Sequence, residues 1–344
     1  MDIANELIRL VEMRDESEIA AYLKDRISDI GFQCKLQRVY NNRKNLIVNY
    51  LNTPDVLLAT HMDVVPLISE TKVVGSRVYG VGSADAKASI VSLLYALSNI
   101  ESLGECTISF LVDEEEQGRG SEKLLEICSP KFAIVCEPTD MRICIAGAGS
   151  FEVEFEVLGK AAHGGEVEKG KNAIIEALEI IHTFKNLEFM DLSHSLIGDA
   201  KFNIQFIEGG SSVYAVPDYC RFIVDFRVLP NHDLDAMRRE IEKKYYKRAK
   251  LNFLEISPAF ETSTDSDVFK ILNKAFKRVT KKENKISGIK SWTDANNLSQ
   301  YGTDVVVFGP GKLEVCHTAR EYVEIGDVEI AGEVLREFIY LWSS

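Results

Sequence analysis

Residues 56–63 read Val56-Leu57-Leu58-Ala59-Thr60-His61-Met62-Asp63, and this stretch decides the fold. The nearly continuous apolar run Val56–Thr60 fits a strand covered on both faces, as in the middle of a parallel sheet. His61 and Asp63 follow at once, so an imidazole and a carboxylate stand where the strand ends. The pattern repeats along the chain. Thr107–Val112 (TISFLV) is followed by Asp113-Glu114-Glu115-Glu116, and Phe132–Cys136 (FAIVC) by Glu137. Asp304–Phe308 (DVVVF) is followed by the loop Gly309-Pro310-Gly311 and then His317. Asp85 comes after the glycine-bearing turn Tyr79-Gly80-Val81-Gly82-Ser83-Ala84, just before a helical stretch at Ser89–Leu103. In an open α/β sheet the carboxyl ends of parallel strands line one crevice, where ligands bind. The acids and histidines of this chain are predicted to meet there.

Outward from these strands, helical and extended patterns alternate. Ile3–Asp29 carries apolar residues at helical spacing, Asn45–Tyr50 reads as a strand and Glu122–Ile127 as a short helix. This order predicts an α/β fold: an open, mostly parallel sheet with helices on both faces. The character changes near Gly147-Ala148-Gly149-Ser150. Phe151–Val157 (FEVEFEV) alternates strictly, as a strand with one wet face does. A helix is expected at Asn172–Leu187, strands at Phe202–Glu208 and Cys220–Val228, a basic helix at Leu234–Lys247 and a strand at Leu251–Ile256. That β-α-β-β-α-β order predicts a small α+β domain at 149–256, inserted into a discontinuous domain formed by 1–148 and 257–344. The helix and strand mix resumes after Pro258 and ends in a helix at Val328–Trp342.

With 344 residues, about two domains are expected. No apolar run reaches the roughly 18 residues of a membrane span. The first residues, Met1-Asp2-Ile3-Ala4-Asn5-Glu6, are acidic and unlike a signal peptide. The 7 cysteines form no CxxC pair and mostly sit in apolar runs, as reduced, buried thiols do. A cytoplasmic protein without membrane contact is therefore expected. The net charge of −13 argues against nucleic-acid binding, which rests on neutralising phosphates. Basic residues gather in 237–250 and 270–285. These stretches read either as solvated helix faces or as a docking face for an acidic partner.

Carboxylates that converge on one crevice repel each other unless a cation joins them. Two histidines with several Asp and Glu residues make a nitrogen and oxygen donor set suited to Zn²⁺, Co²⁺ or Mn²⁺. One carboxylate bridging two ions about 3.5–4 Å apart would neutralise the cluster.

The motifs that carry the chemistry are HMDVVP (61–66), VYGVGSADAK (78–87), LVDEEEQGRG (111–120), CEPTD (136–140), GKAAHGG (159–165), GGSSVYAVPD (209–218), DFRVLP (225–230), SWTDA (291–295) and FGPGKLEVCHTAREYV (308–323). In this order, over nearly the whole chain, they resemble the M20 family of metallopeptidases, which includes acetylornithine deacetylase and succinyl-diaminopimelate desuccinylase. The resemblance implies a catalytic domain interrupted by a lid domain that forms a homodimer. It implies two divalent ions per chain, Zn²⁺ or else Co²⁺. His61, Asp85 and Glu137 would hold one, and Asp85, Glu115 and His317 the other, with Asp85 as the bridge. Asp63 would bond the free ring nitrogen of His61, and Glu114 would be the general base. Placing Glu114 as base and Glu115 as ligand also aligns Gly120 with the family's glycine. His163 would stabilise the oxyanion in the partner subunit's site. Arg227 would clamp a substrate carboxylate, or else pair with Asp225.

The chain departs from the family pattern at Val81, where Arg is usual, at Ala88-Ser89 and at Tyr214. Asp63 and Asp85 are only 22 positions apart. That short loop, the DAK triplet and the compact tail look most like the branch that releases lysine or ornithine from the C-terminal glutamate of a small acidic amino-group carrier protein. The alternative is a deacylase of small N-acyl amino acids such as acetylornithine, acetyl-lysine or succinyl-diaminopimelate, and less so a dipeptidase or carboxypeptidase.

Overall fold

The structure is a computed structural model that describes residues 1–210 and 214–343. Residues 211–213 of the GGSSVYAVPD motif lie outside the described residues. The chain divides into two compact units: Met1–Ala146 with Glu261–Ile289 and Thr293–Ser344, and Gly147–Phe260 with Lys290–Trp292.

The first unit is built on a nine-stranded sheet. From one edge its order is Cys34–Tyr40, Arg43–Val48, Cys106–Leu111, Val56–His61, Phe132–Val135, Asp304–Val307, Ile143–Gly147 and Phe260–Glu261, with Ile286–Ile289 also pairing with Ile143–Gly147. The four strands from Cys106–Leu111 to Asp304–Val307 are parallel. Antiparallel pairs flank them. Every residue of Val56–His61, Cys106–Leu111 and Phe132–Val135 is buried, which explains why these strands read as unbroken apolar runs. Their register sets His61 opposite Leu111 and Ala59 opposite Val135, so the segments that follow leave the sheet side by side.

Helices cover both faces. One group, Ile3–Glu12, Lys87–Leu97, Asp267–Thr280 and Ile325–Trp342, packs helix on helix, and Arg119–Leu125 and Asp294–Gln300 form another. The helical pattern of the first thirty residues is two helices, Ile3–Glu12 and Glu16–Ile30. Asp15 causes the break: its side chain accepts the backbone N–H of Ser17 at 2.8 Å and of Glu18 at 3.1 Å, and so starts a second helix.

The second unit is a four-stranded antiparallel sheet in the order Phe202–Gly209, Tyr219–Val228, Gly149–Leu158, Lys250–Ser257. Helices Ala173–Thr183 and Leu234–Tyr245 pack onto it. The alternation of FEVEFEV sorts its side chains. Phe151, Val153 and Phe155 join a core with Phe222, Phe226, Phe184 and Tyr245. Phe155 and Phe222 stack with ring centroids 4.8 Å apart. On the opposite face Glu154 pairs with Arg221, and Glu156 with Lys250. Among the described residues no helix is long and apolar enough to cross a membrane.

Candidate metal centre

The side chains predicted at the strand ends do converge within the first unit. His61 closes its strand fully buried. Its Nε2 lies 3.1 Å from Asp85 Oδ1 and 3.6 Å from Glu137 Oε2. Its Nδ1 lies 3.1 Å from the Asp63 backbone carbonyl and 3.4 Å from the Asp63 carboxylate. A proton on Nδ1 satisfies both, so Nε2, which bonds Asp85 here, is the ring atom that would give its lone pair to a cation held with Asp85 and Glu137. His317 Nε2 lies 3.0 Å from Glu115 and 3.5 Å from Asp85 Oδ2. Asp85 therefore offers one oxygen to each histidine. Two groups of three ligand atoms result, His61–Asp85–Glu137 and Asp85–Glu115–His317, each within 4.8 Å and sharing Asp85. A third group joins His61 with Glu114 and Glu115, so Glu114 borders the cluster.

Local sequence explains these positions. Asp85 does not cap the helix that follows it, because the N-cap is Ala86, which makes no side-chain bond. Its carboxylate stays free for the histidines. The acidic loop leaves its strand through Asp113, which is in the left-handed region at φ 72, and whose carbonyl accepts the amides of Gln117 and Gly118. Gly120 returns the chain against that strand: a Cβ there would lie 2.2 Å from the Val112 carbonyl oxygen, so only glycine fits. The glycine match used to set the register of the acidic run has this steric basis. Asp63 then fixes the loop from the other side, accepting the amides of Glu114 at 3.2 Å and Glu115 at 3.0 Å.

Electrostatics follow from crowding. Burial pushes the Glu114 carboxyl well above its usual range, with Glu137 and Glu115 adding to the effect against the pull of His61. Burial likewise pushes Glu137 up to about 7. Burial also works against the Asp85 anion, but its bonds to His317 and His61 outweigh that and hold the carboxyl below its usual range. The bonds to Asp85 and Glu115 raise the His317 ring to about 10. Glu137 Oε1 is buried and has no hydrogen-bond partner. An orphaned carboxylate oxygen among two imidazoles and three further acids suits hard or borderline divalent cations, so these residues fit the predicted ions.

His163 and Arg227 belong to the second unit. His163 is exposed, and its Nδ1 accepts the Gly165 amide at 3.1 Å. The neutral ring then carries its proton on Nε2 and presents a donor to solvent. Arg227 Nε pairs with Asp225 at 3.0 Å, and Ser150 Oγ donates to the other oxygen of Asp225 at 2.8 Å. The pairing weighed as the alternative for Arg227 is thus present. Of the departures, Val81 and Ala88 are fully buried, and the Tyr214 side chain is 94% exposed.

Sequence reasoning assigned nothing to Arg43, Asp294 and Glu321. Arg43 stands behind Asp63 at 3.6 Å and pairs with Asp113 at 2.9 Å and Glu116 at 2.7 Å. Asp294, from the quoted SWTDA motif, is fully buried, bonds Ser121 at 2.5 Å and is pushed up to about 7 by burial. Their positions inside quoted motifs were the available signal for Asp294 and Glu321. Arg43 carried none.

The two-group acid and imidazole cluster at the ends of these parallel strands is a donor set for divalent cations. The chain matches the peptidase family M20/M25/M40 over residues 57–341 and belongs to it. It is 29% identical over 277 residues to the acetylornithine deacetylase of Myxococcus xanthus, which covers 75% of this chain and 71% of that protein. It is 26% identical over 284 residues to the LysW-lysine/LysW-ornithine hydrolase of Saccharolobus solfataricus, with 81% and 79% covered. Among solved structures, an M20 family metallo-carboxypeptidase from Sulfolobus solfataricus superposes with a TM-score of 0.80 at 18% identity, over 100% of this chain and 99% of that one. That likeness supports the fold.

Proposed function

We propose that this enzyme is a dinuclear, cytoplasmic amide hydrolase that releases lysine or ornithine from the C-terminal glutamate of a small amino-group carrier protein. The observation that carries the hydrolytic reading is Asp85, whose two oxygens face His61 and His317 and so belong to both ligand groups. His61, Asp85 and Glu137 would hold one cation and Asp85, Glu115 and His317 the other, Zn²⁺ or Co²⁺. Bound there, such ions supply Lewis acidity to the scissile carbonyl and to water.

Glu114 is the general base. It borders the cluster without being needed in either group of three, and its raised affinity for protons suits a carboxylate that takes a proton from the attacking water and passes it to the leaving amine. Asp63 orients His61 and the acidic loop together. His163 donates through Nε2 to the oxyanion in the site of the partner subunit of a homodimer, and the inserted segment 149–256 acts as lid and dimer module. Arg227, steadied by Asp225, binds a substrate carboxylate.

The carrier substrate is supported by the resemblance of the whole chain to that branch and by the LysW-linked relative. The acetylornithine deacetylase relative favours a second reading, a deacylase of small N-acyl amino acids. The basic stretches bear on the choice. Several of their residues are already paired, Arg238 with Glu242, Arg248 with Glu176 and Arg278 with Glu337. Others, such as Lys243, Lys274 and Lys282, have no ion pair among the described residues.

A hydrolysis panel tests both readings. Metal-loaded enzyme is given carrier-linked lysine, carrier-linked ornithine, and acetylated and succinylated amino acids, at low and physiological salt. The carrier reading expects the carrier-linked substrates to have the highest kcat/KM and to lose it as salt screens surface charge. Preference for an acetylated amino acid, without salt dependence, would put the deacylase reading first.

A further inference from the structure

We infer that Glu321 is a positioning residue that fixes the spacing between Asp85 and His317, and thereby shapes the Asp85–Glu115–His317 group in particular. The inference deepens the two-cation reading given above and rests on it.

The turn that delivers Asp85 has no regular structure of its own. Gly80 and Gly82 adopt φ values of 143 and 88, open to glycine. Within it the Ser83 amide donates to the Gly80 carbonyl at 3.0 Å, and Val81 donates to Ser69 Oγ at 2.8 Å, but other buried amides need acceptors. Glu321 serves three of them. Its Oε1 accepts the N–H of Ala84 at 2.9 Å and of Asp85 at 3.1 Å, and its backbone carbonyl accepts the N–H of Gly80 at 3.1 Å. One residue, 1% exposed, thus binds three amides of the turn.

The other end of the strut is His317. It lies four residues before Glu321 and is held in the left-handed region at φ 57. The intervening segment is closed by the Glu321 amide donating to the Thr318 carbonyl at 3.2 Å, and by Thr318 Oγ1 donating to the Val315 carbonyl at 2.8 Å. After Glu321 the strand Tyr322–Glu324 pairs with Arg77–Tyr79, the strand that leads into the Asp85 turn. The two loops are therefore joined at a strand ladder and at the Glu321 side chain. His317 belongs to one ligand group only, whereas His61 and Glu137 reach theirs from the central strands, without Glu321. Loss of the strut should loosen one group more than the other. The required chemistry is an acceptor at the length of a glutamate side chain, not its charge.

Co²⁺ titration tests this, read by visible absorption and by calorimetry, on the full chain and on Glu321→Gln, Glu321→Asp and Glu321→Ala. Gln keeps the acceptor at the same reach, Asp withdraws it by one methylene, and Ala removes it. Wild type and Glu321→Gln are expected to bind two Co²⁺ per chain with similar spectra. Glu321→Asp and Glu321→Ala should lose about tenfold or more in affinity at one of the two sites, and less at the other, which shares Asp85 but not His317. Thermal melts establish that each variant is folded, and Glu321→Asp decides the matter if Glu321→Ala is not. Equal weakening of both sites, unchanged binding in Asp and Ala, or failure of Gln together with Ala overturns the strut. Wild type binding fewer than two Co²⁺ overturns the two-cation reading and the strut with it, an outcome distinguishable from the others.

Discussion

Asp63 Oδ2 accepts the backbone N–H of Glu115 at 3.0 Å. The same carboxylate accepts the Glu114 amide and stands beside the His61 ring, so a single side chain links the end of one central strand to the loop after the next. Replacing it by asparagine leaves one acceptor oxygen and turns an amide donor toward a backbone donor. Asp63→Asn should lower Co²⁺ affinity by roughly 10–100-fold, as outer ligand partners typically do, and lower kcat more than it raises KM. Steady-state kinetics beside a cation titration checks this, and unchanged affinity would remove Asp63 from the role given to it.

Glu114 and Glu115 are neighbours with different assigned tasks, and metal content separates them. Glu114→Ala should retain two cations per chain after dialysis and lose about 10²–10⁴-fold in kcat, the usual worth of a general base. Glu115→Ala should lose one cation. Elemental analysis of both variants reads the result. The opposite pattern, metal lost from Glu114→Ala and kept in Glu115→Ala, means the acidic run is shifted by one residue.

Cations and protons compete for the same atoms. Glu137 is held at about 7 and His317 at about 10, and each must shed its proton to bind a cation. Below pH 7 a cation must expel the protons of both, and above 7 still that of His317; despite burial, Glu137, Asp63 and Asp85 hold the His61 ring well above its usual value, so it too sheds a proton. Apparent Co²⁺ affinity should therefore climb with pH, most steeply below 7. Competition against a chromophoric chelator between about pH 6 and about pH 9 measures the slope. An affinity that stays flat over that range contradicts the assignment of these two ligands.

His163 presents a donor outward, on Nε2. If it serves the neighbouring subunit, activity requires the dimer. Mixing inactive His163→Ala chains with inactive Glu114→Ala chains should restore part of the activity, since a heterodimer holds one site with both groups intact. Mass spectrometry confirms subunit exchange. No recovery after verified exchange would falsify the role in trans.

The parts legible in the sequence were those announced locally. VLLAT, TISFLV and FAIVC are strands because both their faces are covered, and the chemistry sits in the residues that follow each run. Cys34–Tyr40 escaped notice because Lys35, Gln37 and Arg38 interrupt it. As an edge strand it has one neighbour and less need of an apolar face. The break between the first two helices rests on one capping bond, which periodicity alone does not weigh against a continuous helix. The contacts of Arg43 and Glu321 are hidden for a further reason. Their partners Asp113 and Asp85 lie 70 and 236 positions away, a pairing that a single sequence does not display.

The sheet order carries one more consequence, for how the protein is made. Asp304–Val307 sits between Phe132–Val135 and Ile143–Gly147, two strands that leave the ribosome before the entire second unit is synthesised. Until the late strand arrives, its place is open, and two early strands present unpaired backbone toward it, the condition that invites pairing between chains. The inserted unit carries its own aromatic core and can form during that interval, whereas the catalytic sheet closes only after translation passes Val307. His317 follows ten residues later, so the last of the five proposed ligands is translated only after the strand that seals the sheet.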